Sequence, residues 1–367
     1  VSALPREDET ARSPRALSAL LFEPEDLARE VAARGGRPFH ARILRERVLG
    51  AGVLDYALMT SLPERLREAL AQELPLLAGR ELERSVAKDR TTKLLLGFAR
   101  AEGAGLDTIE TVHIPALKSK GKDSVGPAGA TLCVSTQAGC PVACPFCASG
   151  RLGLSRNLAA HEILEQFLFG RALGPLSRSV VMGIGEPLLN FEATLRALRL
   201  VHAELGIGAR KITLSSVGFP ARVRAAALER PPFQLAISLH TPFDEERDLL
   251  VPAMKGTPID EIIAAGDFWF ETTGRELTYE YVLLGGTNDT REHAAALARR
   301  LAAKRCSVNL IPFNPVRESG YRRPLPEHVE AFRELLEAAG VVATVRWSRG
   351  LESDAACGQL RLRGVEA

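Results

Sequence analysis

Cys140, Cys144 and Cys147 stand in a C-x3-C-x2-C run, Cys140-Pro-Val-Ala-Cys144-Pro-Phe-Cys147. Half of the six cysteines of the chain fall in these eight residues. Three thiolates on one short loop can hold three irons of a four-iron cluster and leave the fourth iron open to another ligand. A structural zinc ion asks instead for four protein ligands in closed tetrahedral geometry. No histidine lies within ten residues of the run on either side. A zinc site would therefore need a distant fourth ligand such as Cys133, and inert thiols are a third reading. The ligand count fits a [4Fe–4S] cluster best.

Other residues of suitable chemistry are spread downstream. Gly183-Ile-Gly185-Glu186-Pro187 lacks the third glycine of a dinucleotide-binding turn. After a cluster loop, its small residues would let the backbone approach a ligand, and Glu186 would accept a hydrogen bond from an ammonium group. The amino acid part of S-adenosylmethionine carries such an ammonium, and its carboxylate could join in chelating the open iron. Ser215-Ser216 and Ser238-Leu239-His240 offer hydroxyls and main-chain groups to a sulfonium ligand or its ribose, and Asn314-Pro315 offers an amide to an adenine or ribose edge. Taken singly, each of these also serves as a turn or cap. Cys306, among apolar neighbours, reads as packing.

These residues need elements to position them. Apolar β-like runs at 131–135, 179–184, 211–216, 234–239, 277–284, 307–312 and 341–347 alternate with helical patterns at 159–171, 191–205, 221–228, 259–271, 291–304 and 326–339. Such alternation predicts an α/β fold with a parallel sheet, either a barrel or an open doubly wound sheet. In both, ligands bind beyond the carboxyl ends of the strands, where every segment named above falls. Upstream, 24–33, 39–48 and 63–74 read as amphipathic helices, and 92–98 with 108–114 as a hairpin. The expected organisation is a loose tail at 1–15, a small helical accessory domain at 16–80, a linker hairpin and loop at 81–130, and the catalytic barrel at 131–367.

Composition excludes some classes. The 367 residues are 46% hydrophobic and 25% charged, ordinary for a globular protein, and no apolar run approaches a membrane span. The net charge of +2 is no nucleic-acid signature by itself. Local basic clusters remain: Lys118, Lys120 and Lys122; Arg322 and Arg323; Arg42, Arg45 and Arg47. Each could be a solvated face, and together they could track a phosphate backbone. Unevenly spaced cysteines in a long chain fit a reducing cytoplasm. A cytoplasmic monomer is expected.

Several motifs in order resemble one family. They are Thr131-Leu-Cys133-Val-Ser-Thr-Gln-Ala-Gly-Cys140, the triple-cysteine loop, Arg156-Asn157-Leu158, Gly185-Glu186-Pro187-Leu188, Ile237-Ser-Leu-His240, Asn309-Leu-Ile-Pro-Phe-Asn314-Pro315 and Asp354-Ala-Ala-Cys357-Gly-Gln. Together they resemble the RlmN/Cfr family of radical S-adenosylmethionine RNA methyltransferases over 108–360. The resemblance implies a partial (βα)6 radical SAM barrel with a [4Fe–4S] cluster on Cys140, Cys144 and Cys147. It implies an S-adenosylmethionine site lined by Gly185, Glu186, Ser215, Ser238, Leu239, His240 and Asn314. Cys357 would carry the methyl group, Cys133 would close a disulfide with it, and Glu110 would be the general base. The implied acceptor is an adenine carbon, C2 or C8, in 23S rRNA, tRNA or both, with flavodoxin or ferredoxin as electron donor.

An aromatic C–H is a poor nucleophile, so displacement at a sulfonium methyl would be slow there and a radical route is needed. A covalent carrier divides the transfer into easier steps. The loop at 116–129 looks longer than the family pattern, and the helical domain has no tryptophan. Both bear on the RNA substrate. Two alternatives stay open at this stage: a radical enzyme with another substrate, and a zinc-stabilised RNA-binding protein without catalysis.

Overall fold

The computed structural model describes residues 16–100, 104–116, 129–151, 153–316, 319–350 and 354–360. The expected tail at 1–15 and the lysines at 118, 120 and 122 lie outside them.

Four helices open the chain: α1 (Leu17–Leu20), α2 (Pro24–Ala33), α3 (Pro38–Arg45) and α4 (Glu64–Glu73). α2 starts on a proline at its first position, with Glu25 and Asp26 in its positive-dipole first turn. Leu27 and Val31 are its buried stripe. α3 runs into a π turn at Glu46–Gly50. These helices share one continuous apolar core with the rest of the described chain. Glu165 fastens them: its carboxylate accepts from Ser18 Oγ at 2.5 Å, Ala78 N at 2.7 Å and Gly79 N at 2.7 Å.

Among the described residues ten strands form one sheet. β1 (Arg80–Val86), β2 (Thr92–Ala99) and β3 (Leu106–Ile114) make an antiparallel meander, and β3 pairs antiparallel with β4 (Ala130–Cys133). The expected hairpin is thus β2–β3. It has a third strand, and it extends the barrel sheet. A short ribbon, β5 (Gln137–Gly139) with β6 (Leu154–Asn157), stands apart.

From β4 the sheet is parallel: β7 (Leu176–Val181), β8 (Ile212–Ser216), β9 (Gln234–Ser238), β10 (Leu277–Leu283), β11 (Cys306–Pro312) and β12 (Val342–Val345) follow in chain order. Between them run α5 (Ala160–Leu173), α6 (Phe191–Glu204), α7 (Pro220–Leu228), α8 (Asp244–Leu250), α9 (Ile259–Thr273), α10 (Arg291–Leu301) and α11 (Pro326–Ala338). Strands buried on both faces read as apolar runs, as Leu235, Ala236 and Ile237 do in β9. Among the described residues the strand order stays open, as in a partial barrel. No helix among them is long and apolar enough to cross a membrane.

Candidate active site

The three cysteines sit at the tip of the β5–β6 ribbon, beyond the carboxyl end of β4. The ribbon closes because Gly139 is a glycine: its φ is +83°, and a Cβ there would stand 2.0 Å from Gly153 O. Cys140 N donates to Gly153 O and Cys147 N to Cys144 O. Ala143, between the first two cysteines, holds a left-handed φ of 58°, which strains an L residue. Motif residues brace the ribbon. Arg156 donates to both oxygens of Glu162 at 2.7 and 2.9 Å and to Asp107 at 2.6 Å. Asn190 Nδ2 donates to Thr136 O and Leu158 O, both at 2.8 Å.

A first cavity, about 890 Å³ of empty space with its open mouth included, lies over the strand ends. Its walls bring together Cys140, Cys144, Cys147, Gly185, Glu186, Ser215, Ser238, His240, Asn314 and Cys357. Of the expected ligand contacts, only Leu239 is absent from these walls. It is fully buried in the apolar core, and its N donates to Glu280 O.

Glu186 is almost wholly buried, and burial pushes its pKa up. Its carboxylate accepts from Leu188 N at 3.0 Å and Val217 N at 2.9 Å, so it is held rigidly. The glycines beside it are also required by packing. A Cβ on Gly185 would meet Gln137 at 2.7 Å, and one on Gly183 would meet Ser135 Oγ at 2.6 Å. They are glycines because the strand-end loop packs on the chain after β4.

His240 has a φ of 67°. Its Nδ1 accepts from Val282 N at 3.2 Å, which leaves the proton on Nε2. Burial, then the Arg247 charge, pushes its pKa down to about 3, so the ring is a neutral donor. Phe146 of the cysteine loop stands edge-on to it at 5.0 Å. Asn314 turns its amide to the tail rather than to the cavity centre: Nδ2 donates to Cys357 O at 3.0 Å and Ser348 Oγ at 2.8 Å.

The tail, 354–360, is laid across the site. Ala148 N donates to Gly358 O at 2.8 Å, Ser149 Oγ to Leu360 O at 2.6 Å, and Gln359 Nε2 to Pro315 O at 2.9 Å. Cys357 is thereby set against the cysteine loop. It also lines a second cavity, about 760 Å³, with Cys133, Met182, Arg346, Trp347 and Arg349. Both thiols are free. Burial pushes Cys133 up to about 12. Burial also raises Cys357, and the Arg346 guanidinium opposes that rise.

Glu110 lies on neither cavity wall. It is fully buried in an ion pair with Lys93 at 3.1 Å, and Lys93 Nζ also donates to Asp354 O of the tail at 3.0 Å. Three wall or near-wall groups carry no motif signal of their own: Glu280, Arg346 and Arg247. Glu280 accepts from Asn309 Nδ2 at 3.1 Å in the middle of β10. An acidic residue inside an apolar strand was the sign available for it.

Comparison with known proteins settles the class. Residues 134–301 match the radical SAM superfamily. A protein of Synechococcus sp. described as a probable dual-specificity RNA methyltransferase RlmN is 43% identical over 94% of this chain and 98% of its own length. One of Nostoc punctiforme with the same description is 41% identical over 92% of this chain and 91% of its own. The chain belongs to the RlmN family of radical SAM RNA methyltransferases. The crystal structure of a radical SAM methyltransferase from Sphaerobacter thermophilus superposes with a TM-score of 0.83 at 39% identity, covering 95% of this chain and 99% of that one.

An RlmN-family enzyme works with a [4Fe–4S] cluster and S-adenosylmethionine, and the donor set here fits the cluster. Burial and the neighbouring thiols hold Cys144 well above its usual range, and burial pushes Cys140 up to about 12. Left alone these thiols stay protonated at neutral pH; a metal centre takes them as thiolates. Cys133, a fourth ligand that a zinc reading could call on, lines the other cavity with Cys357. Membership of the RlmN methyltransferase family sets a non-catalytic zinc protein aside.

Proposed function

We propose that this enzyme methylates C2 of an adenine in ribosomal RNA, transfer RNA or both, through a methylated Cys357. One observation carries the reading: Cys357 lines both cavities. A thiol in that partition can take a methyl group on the cluster side and present it on the other. The curated relatives are described as dual-specificity RNA methyltransferases, which supports two RNA classes.

In this reading Cys140, Cys144 and Cys147 hold the cluster, and Gly185, Glu186, Ser215, Ser238, His240 and Asn314 surround S-adenosylmethionine. Glu186 is fixed to meet the ammonium, and the His240 Nε2–H donates. The reduced cluster, fed by a one-electron protein such as flavodoxin or ferredoxin, supplies the electron that opens the sulfonium to radical chemistry. The radical released from a second S-adenosylmethionine would take a hydrogen atom from the methyl group on Cys357, whose carbon would then bond to the base, and one electron would return to the cluster. A carboxylate removes the proton of the attacked carbon. Cys133 bonds to the Cys357 sulfur and frees the methylated base, and this pair must be reduced before the next turnover.

Glu110 is the carboxylate the family resemblance assigns. Its Lys93 partner ties it to the tail at Asp354 O, three residues before Cys357. Glu280, on the first cavity's wall, is a second candidate, since the buried Glu186 carboxylate is already held by Leu188 N and Val217 N. Glu110→Gln should retain the RNA on Cys357, and Glu280→Gln should not. The opposite pattern moves the role to Glu280.

Nucleoside digests of RNA incubated with enzyme and methyl-labelled donor test the product. 2-Methyladenosine is expected; 8-methyladenosine, or no methylated adenine, refutes the assignment.

A further inference from the structure

Helix α8 carries a charge that none of these steps uses. Arg247 is only 1% exposed. Its Nη2 donates to Val217 O at 2.7 Å and Ser238 O at 3.2 Å, two residues of the first cavity's wall. Its Nε and Nη1 donate to nothing among the described residues. A buried guanidinium with unpaired N–H groups is costly, and native structures keep one only where something offsets it.

Cys144, once a thiolate, is the first of the groups whose charge would bear on Arg247, ahead of Asp244 and Asp248. Both aspartates have other partners: Asp244 Oδ1 accepts from Ile259 N at 2.7 Å, and Asp248 Oδ1 from Gly256 N at 2.8 Å. Cys144 lines the same cavity as Val217 and Ser238, whose carbonyls hold Arg247. The chain just after α8 is also pinned to the cysteine loop, because Ala253 N donates to Val142 O.

A four-iron cluster held by three thiolates is anionic and becomes more so on reduction. A nearby cation, and N–H donors to the sulfurs, favour the reduced state. We propose that Arg247 is the counter-charge of the cluster, a positioning residue whose unpaired N–H groups and fixed positive charge ease the electron's arrival at the centre held by Cys144. This rests on the assignment of Cys140, Cys144 and Cys147 as cluster ligands.

The test uses the full chain, reconstituted anaerobically, as wild type, Arg247→Lys, Arg247→Met and Arg247→Gln. Iron and sulfide per chain are measured first. The ratio of reduced to oxidised cluster is then read by electron paramagnetic resonance at one poised potential. Arg247→Lys should stay within roughly twofold of wild type, since it keeps the charge. Arg247→Met and Arg247→Gln should fall at least roughly tenfold, a midpoint about 59 mV lower for one electron.

Loss of cluster from the two neutral variants, with normal loading in Arg247→Lys, supports the same role. A ratio within roughly twofold of wild type in a fully loaded neutral variant overturns it. So does unfolding of all three variants, which assigns Arg247 to the Val217 and Ser238 carbonyls alone. A wild type that binds no iron refutes the ligand assignment instead, and is recognised at the first measurement.

Discussion

Gln359→Leu tests whether the tail's docking places Cys357. Gln359 is buried, and leucine has a similar volume. The change removes the bond from Nε2 to Pro315 O at 2.9 Å, which ties the tail to the body, and the bond from Ala356 N to Oε1 at 3.2 Å, which lies within the tail's own turn. A neutral bond is worth about 1 kcal/mol net, so docking should weaken by about 1 kcal/mol. That corresponds to about a 5-fold rise in the undocked fraction. Cys357 is half-buried in the docked tail and opens fully only when the tail lifts. The rate of Cys357 carboxymethylation, followed by peptide mass spectrometry, should rise about 5-fold on the same arithmetic. Cys306, at the start of β11 and away from the tail, serves as internal control and should not change. Methyl transfer to RNA should fall while reductive cleavage of S-adenosylmethionine persists, because no cluster ligand is touched. A Cys357 rate within about twofold of wild type would refute the claim that these bonds hold the carrier in place.

Three further outcomes follow from the same geometry. Gly139→Ala places a Cβ against Gly153 O and forces an L residue into a left-handed φ, so iron bound per chain should fall sharply with the circular dichroism of the fold retained. Because folded His240 stays neutral down to about pH 3 while an unfolded histidine protonates near 6.5, the unfolded state binds the extra proton between those values. Stability must then fall as pH drops through that window, by about 2 kcal/mol near pH 5, and urea midpoints of wild type against His240→Asn measure it. Of the two tryptophans, Trp269 is 1% exposed and Trp347 is 48% exposed at the second cavity, with Arg323 5.7 Å from its ring. Substrate RNA should therefore quench the red-shifted emission, and Trp347→Phe should abolish that quenching and raise KM more than it lowers kcat.

Local patterns made much of the scaffold legible. The cysteine spacing, the glycine turns and the alternation of apolar runs all act over a few residues, and every parallel strand and long helix of the barrel was placed to within a few residues. β1 escaped because Arg80, Glu81, Glu83 and Arg84 leave it polar on both faces, so no period-2 signal survives. α8 is one short acidic stretch with little periodicity. The site was legible where motifs are contiguous and opaque where partners come from distant segments. Arg247 meets Val217 across 30 positions, one crossover away, and Arg346 meets Met182 across 164 positions. Gly185 lines the first cavity, and its missing side chain is also required by Thr136 and Gln137, which only the folded chain brings against it. Leu239 is buried in the core just beyond β9, while its neighbours Ser238 and His240 line the first cavity.

In the proposed mechanism Cys357 hands its methyl carbon to the base and Cys133 releases the product. Replacing Cys133 by alanine removes release and leaves every earlier step intact. Cys133→Ala incubated with RNA, reductant and S-adenosylmethionine should accumulate a covalent RNA adduct, and digestion should find a single methylene bridge between the Cys357 sulfur and an adenine carbon. Free methylated RNA at the wild-type rate, or an adduct on any other residue, would contradict it.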